Sequence, residues 1–242
     1  MDLIIRFYRM LFCRGGFGIH SPFVFDLMTE VIEEQRLYYC YEPLQSARVQ
    51  IRQRRDKVQF GNLNLTTKEM LKKYGFTELE HRLLFRLANH FQPKTILTLG
   101  SDFGLTPLYL TAYSTNAVCM VVEPESSISK VAQEYITQYT TATIDLRNDD
   151  GEIPDELDFV VLGAYPGNIH TGFSKQTFER FLPFIHEKSV MVIKGINASP
   201  QAHKAWKAVC AHPKVTVSID LLRLGVVFFN PDLHRRTYKS II

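Results

Sequence analysis

The sequence predicts an α/β protein: a doubly wound, mostly parallel, seven-stranded sheet that ends in an antiparallel hairpin, preceded by a helical N-terminal extension. Three observations predict it. From residue 94 onward, strand-like runs alternate with helix-spaced segments, the mark of a parallel sheet with helices on both faces. The runs VCMVV and FVVL are apolar without a break, as strands buried on both sides are. KVTVSIDL and LGVVFF follow one another too closely for a crossover, so they pair as a hairpin.

Residues 1–60 form the extension and residues 61–242 the α/β domain, with leading helices over 61–92. At the N-terminus, Ile4, Phe7, Tyr8 and Leu11 repeat at helical spacing and predict an amphipathic helix packed on the body or on a second copy of the chain. Asp2, Arg6 and Arg9 interrupt the stretch, which argues against a signal peptide, and interfacial membrane attachment is the lesser reading. Ser21-Pro22 is a helix start, with serine at the cap and proline in the first turn, ahead of Phe23, Val24, Leu27, Met28, Val31 and Ile32. Thr66 to Glu69 and Thr77 to Glu80 match the capping box, separated by Gly75. Leu79, Leu83, Leu84, Leu87 and Phe91 stripe the second of these helices, and Pro93 ends it.

The strands then run TILTL, AVCMVVE, ATIDL, LDFVVLG, SVMVIKG, KVTVSIDL and LGVVFF. Helices are expected after Gly104 and through SISKVAQEYITQY, FSKQTFERFLPFI and PQAHKAWKAVCAH.

Composition excludes little. The 242 residues carry 45% hydrophobic and 22% charged side chains and a net charge of +3, too weakly basic to argue for nucleic acid. The local exception is Arg48, Arg52, Arg54, Arg55 and Lys57, read as a solvated helix face or, less simply, an RNA contact. Four scattered cysteines without a CxxC pair indicate neither zinc nor redox chemistry and fit a reduced, cytoplasmic protein.

In an open parallel sheet, ligands sit beyond the carboxyl ends of the strands, where the strand order reverses. The first loop there is Gly100-Ser101-Asp102-Phe103-Gly104. About 20 residues on, the second strand ends in Glu123, an acid placed to accept both hydroxyls of a ribose. A dinucleotide would want a third glycine, and Asp102 would sit near its phosphates. That disfavours a nicotinamide-dependent oxidoreductase. A cationic, phosphate-free nucleoside suits the acid better, and S-adenosylmethionine is such a ligand.

With GIHSPFVFDL, ILTLGSDFGLTPLYL, VVEPE, LDFVVLG and AWKAVCAHPKVTVSIDLLRLGVVFF in this spacing, the chain resembles the class I S-adenosylmethionine-dependent methyltransferases of Rossmann-like fold. It is most similar to a bacterial branch close to the small-molecule O-methyltransferases. The resemblance implies that Gly100, Ser101, Asp102 and Gly104 hold the methionine part, Glu123 the ribose, and Asn148, Asp149 and Asp150 lie near the adenine.

Metal-using relatives place an acid after the fourth strand and an acid pair after the fifth, a ligand set for magnesium or calcium. Here Gly163 and Lys194-Gly195 stand at those places, so no metal site is expected. His170 and Lys194 are the candidate bases. His81, His90, His186, His203, His212 and His234 fall on expected surfaces or helix ends. The expected activity is metal-independent methyl transfer to an oxygen or nitrogen of a small molecule, less simply of RNA. The alternative is a catalytically degenerate binding or scaffold module. The extension is expected to wall the acceptor pocket or to form a homodimer contact.

Overall fold

The computed structural model describes residues 7–9, 13, 19–149, 151–163 and 173–242. Its helices are α1 (Pro22–Leu27, continued by a π turn Met28–Ile32), α2 (Tyr41–Gln53), α3 (Thr67–Lys73), α4 (Glu78–Phe91), α5 (Leu105–Thr111), α6 (Ser126–Tyr139), α7 (Lys175–Phe181) and α8 (Pro200–Cys210). The strands are β1 (Lys57–Phe60), β2 (Leu63–Thr66), β3 (Thr95–Leu99), β4 (Val118–Val122), β5 (Thr143–Arg147), β6 (Leu157–Leu162), β7 (Ile185–Lys194), β8 (Val217–Asp220), β9 (Leu224–Phe228) and β10 (Arg236–Lys239).

The main sheet has the order β10-β8-β9-β7-β6-β3-β4-β5. Strands β3 to β7 are mutually parallel, and β9 runs antiparallel between β7 and β8. The expected terminal hairpin therefore exists, with its second strand inserted inward. The order reverses at β3, whose neighbours are β4 and β6, so the carboxyl end of β3 opens the crevice where such folds bind ligands.

Two elements go beyond the seven-strand expectation. β10 adds an eighth strand, parallel to β8, and β1–β2 form a separate antiparallel hairpin through Gly61 and Asn62. The expected helix starts are present: Ser21 caps α1, and both capping boxes close with reciprocal hydrogen bonds.

Alternate strand residues feed opposite faces of the sheet. Ile96, Val121, Phe159 and Val192 pack under α1 and α4. Leu97, Val122, Val160 and Met191 pack under α7 and α8, around Phe178, Phe181 and Trp206. A third core joins α2, the β1–β2 hairpin, α5 and α6 around Phe103 and Tyr109. Each fully buried large side chain of this kind contributes about 1.5–3 kcal/mol.

Of the expected N-terminal stripe, two residues are described. Phe7 and Tyr8 are exposed, whereas Arg9 is buried. Its guanidinium donates to both carboxylate oxygens of Asp220, at 2.7 and 3.1 Å, and to the Asp220 and Ser240 carbonyls. Ile4 and Leu11 lie outside the described residues. Among the described residues no helix is long and apolar enough to cross a membrane.

Candidate functional site

The loop after β3 is held in a narrow set of conformations. Gly100, Asp102, Phe103 and Gly104 all have positive φ, from 47° to 91°. Two of these are not glycine, and a left-handed conformation there costs about 1–3 kcal/mol per residue. Burial of the Phe103 ring offsets this on one side. On the other, the Asp102 carboxylate accepts the Phe76 amide at 2.5 Å. Gly104 is required twice over: its φ is +91°, and a Cβ would meet the Ala132 carbonyl oxygen at 2.9 Å.

Backbone bonds stitch the loop to its neighbours. Gly100 N donates to the Val122 carbonyl, and Glu123 N to that of Arg147, joining the carboxyl ends of β3, β4 and β5. Ser101 then grips Glu123: its amide and hydroxyl donate to Oε2 at 3.0 and 2.8 Å. Glu123 is only 2% exposed. Among the described residues its Oε1 receives only a long contact, 3.4 Å, from Glu125 N, and so keeps acceptor capacity. Burial pushes its carboxyl up to about 7, against the hydrogen bonds from Ser101. Burial likewise raises Asp102 to about 6, opposed by the Lys194 charge and the Phe76 amide.

The β1–β2 hairpin sits beside this acid. Gly61 N donates to Glu125 Oε1 at 2.7 Å, and Gln59 N donates to Ser127 Oγ at 2.9 Å. Asn148 and Asp149 directly follow β5 and are exposed, with Asp149 closing a turn by accepting the Gly151 amide. Asp150 and the candidate base His170 lie outside the described residues.

Beyond β6 and β7, the residues at the two positions expected to lack metal-ligating acids have structural reasons. Gly163 N donates to the Leu99 carbonyl at 3.0 Å, and a Cβ on Gly163 would lie 2.6 Å from that same oxygen. This backbone has no room for an acidic side chain there. Lys194 ends β7 with its ammonium 3.3 Å from Glu80 Oε2 and 4.3 Å above the Phe76 ring. Arg223, in the turn between β8 and β9, brings Nε to 3.1 Å from Glu80 Oε1. Burial works against the Glu80 charge, but Lys194 and Arg223 outweigh it and hold the carboxyl below its ordinary range. For Lys194, burial wins over the attraction of Glu80 and Asp102, and its pKa is lowered.

One residue assigned to a surface is in fact central. His81 is fully buried, stacked on Tyr109 at 5.0 Å. The Arg48 guanidinium, which has donors and no acceptor, lies 3.0 Å from Nδ1, so that nitrogen must be the acceptor and Nε2 carries the proton. Nε2 then faces Thr106 Oγ1 at 3.3 Å and Asp102 Oδ2 at 3.6 Å. Burial and the neighbouring Arg48 and Lys194 charges hold His81 neutral. The signal was available: His81, Leu84, Phe85 and Ala88 form a stripe at helical spacing and are all buried, whereas Leu79, assigned to the apolar face, is exposed.

The basic run splits. Arg48 turns inward to donate to the Phe76 carbonyl at 2.6 Å, and Arg54 pairs with Asp56 and Glu134. Arg52, Arg55 and Lys57 remain exposed.

No family model matches the chain, and no curated protein matches it. Solved structures do. The S-adenosylhomocysteine-bound methyltransferase PaMTH1 of Podospora anserina aligns with a TM-score of 0.55 at 11% identity, over 81% of this chain and 99% of its own. An O-methyltransferase of Bacillus cereus in complex with S-adenosylhomocysteine aligns at 0.55 and 13%, over 85% and 96%. TomG of Streptomyces achromogenes, an O-methyltransferase of tomaymycin synthesis in complex with S-adenosylmethionine, aligns at 0.55 and 15%, over 85% and 94%. At these identities the likeness is one of fold, and this chain has the fold of these methyltransferases along most of its length.

Proposed function

We propose that this protein is an S-adenosylmethionine-dependent methyltransferase that acts on an oxygen or nitrogen of a small molecule. The observation that carries the reading is Glu123: a deeply buried acid at the carboxyl end of β4, clamped through one oxygen by Ser101 and holding the other in reserve. A buried carboxylate oxygen with spare acceptor capacity fits a ribose hydroxyl. The co-structures of fold neighbours with S-adenosylmethionine or S-adenosylhomocysteine support the same ligand.

When bound, S-adenosylmethionine supplies a methyl group on a cationic sulfur. The residues of this chain bind and align. The backbone of Gly100 to Gly104 would receive the methionine part, and Asp102 favours a ligand of positive charge. Asn148 and Asp149 stand on the adenine side. Transfer needs chiefly the alignment of acceptor, methyl and sulfur, which fixed walls provide. Gly163 and Lys194 at the ends of β6 and β7 favour an acceptor site that works without a divalent metal. The inward turn of Arg48 and the pairing of Arg54 weigh toward a small molecule over RNA.

Calorimetric titration with S-adenosylmethionine and S-adenosylhomocysteine tests the proposal. Micromolar binding is expected, weakened about tenfold or more in Glu123→Gln, the loss of a charge-assisted hydrogen bond. Absence of heat with both ligands, in a protein whose circular dichroism shows it folded, would overturn it.

A further inference from the structure

The acceptor side of the crevice is built around cations. Lys194 closes β7, and Arg223 stands beside it because the two loops are tied together: Gly195 N donates to the Arg223 carbonyl at 2.8 Å. The turn that presents Arg223 is strained, with Leu222 at φ 73°, and is pinned by Leu222 N donating to Asp220 Oδ1. Positive φ at a leucine persists only where the surroundings over-determine it, and such positions gather at ligand sites.

Arg223 turns one edge to the protein. Its Nε faces Glu80, while its terminal nitrogens make no hydrogen bond among the described residues, and the side chain is 51% exposed. A guanidinium offers a planar fork that matches a carboxylate in two parallel hydrogen bonds. Within the protein this pair of cations already faces one buried carboxylate, Glu80, through Lys194 Nζ and Arg223 Nε, which leaves the fork itself unused. The charges do not balance within the cluster. Arg48, Lys194 and Arg223 face Glu80 and Asp102, and Arg48 meets only the neutral His81 ring and the Phe76 carbonyl.

We infer that the open fork of Arg223, backed by Lys194, is an anchor for a carboxylate on the methyl acceptor, so that the substrate class is organic acids. The inference rests on the proposed methyl transfer for the identity of the ligand as an acceptor. The anchor itself rests on this chain's own residues. Glu80 is its internal counterpart, holding the cations in place and competing for them. Arg223 is thus a specificity-determining residue that positions the acid.

The test uses the full chain, with and without saturating S-adenosylhomocysteine. Ligand-observed NMR compares a panel of aliphatic and aromatic monocarboxylates, benzoate and 4-hydroxybenzoate among them, with the matching neutral amides. At least one acid is expected to bind about tenfold more tightly than its amide. Arg223→Gln is expected to erase that preference while leaving S-adenosylhomocysteine binding unchanged. Glu80→Gln, which preserves the capping box, is expected to tighten acid binding severalfold by freeing both cations. Amides binding as well as acids across the panel would overturn the inference. So would an acid preference that survives Arg223→Gln, or one that Glu80→Gln leaves unchanged or weakens. Acid binding governed by Arg223 in a protein that ignores S-adenosylhomocysteine would keep the anchor and sink the methyl-transfer reading.

Discussion

Glu123 and Asp102 carry most of the electrostatic tension in the crevice. Both are buried acids whose carboxyls lie above their ordinary values, at about 7 and about 6. A raised value means that the folded state binds protons more tightly than the unfolded chain. Stability therefore falls as pH rises from the ordinary carboxylate range through about 7, and stays lower above it. Glu123→Gln removes the penalty. The ligand-free variant is expected to match wild type near pH 4 and to exceed it by on the order of 2–3 kcal/mol at pH 8, read from urea melts at both values. Equal stability at pH 8 would show that Glu123 carries no such strain. Under the proposed function the same substitution weakens cofactor binding, so stability and function would oppose each other at one residue. Sequence alone placed Glu123 at the strand end that holds it. His81 escaped because its neighbour Glu80 already had a local role in the capping box, and Arg48, which orients its ring, is 33 residues away.

Among elements, legibility follows how local the cause is. The capping boxes of α3 and α4 and the proline-led start of α1 were readable because donor, acceptor and helix lie within four residues. The central strands β3, β4, β6 and β9 were readable because burial on both faces makes them almost continuously apolar. The hairpin β1–β2 and the edge strand β10 were not: each strand is only four residues long, and β2 and β10 are mostly exposed or half-exposed. They owe their existence to partners: β10 to β8, and the hairpin to α6 through Glu125 and Ser127. The join between β3 and β6 yields a sharp expectation. Their carboxyl ends touch through Gly163 N and the Leu99 carbonyl, with no room for a methyl group. Gly163→Ala is expected to cost about 1–3 kcal/mol and to push the two strand ends apart, measured by chemical denaturation. A neutral result would mean that the ends yield freely and that the close approach at Gly163 does not fix the residue there.

For the molecule as a whole, the least legible bond is the one that spans it. Arg9 and Asp220 are 211 residues apart, and neither the helical stripe of the N-terminus nor the pattern of β8 marks them as partners. Burying the pair carries a desolvation cost, which the added hydrogen bonds from Arg9 to the Asp220 and Ser240 carbonyls help to offset. Breaking it by Arg9→Met leaves the Asp220 carboxylate buried without its cation, with the Leu222 amide still donating to it. The expected cost is about 3–5 kcal/mol, with faster proteolytic cleavage ahead of residue 19 as its signature. Unchanged melting and cleavage would show the contact to be incidental.

That bond also sets a timetable. Ribosomes make Arg9 before Asp220, and at about 5–20 residues per second the interval is roughly 10–40 s. Through that time the guanidinium has no mate, and the segment around it waits in solvent while the sheet is assembled behind it. A segment made ahead of its partner is locked only after it, so a nascent chain leaves the stretch around Arg9 open to chaperones and proteases until β8 and β10 have left the tunnel.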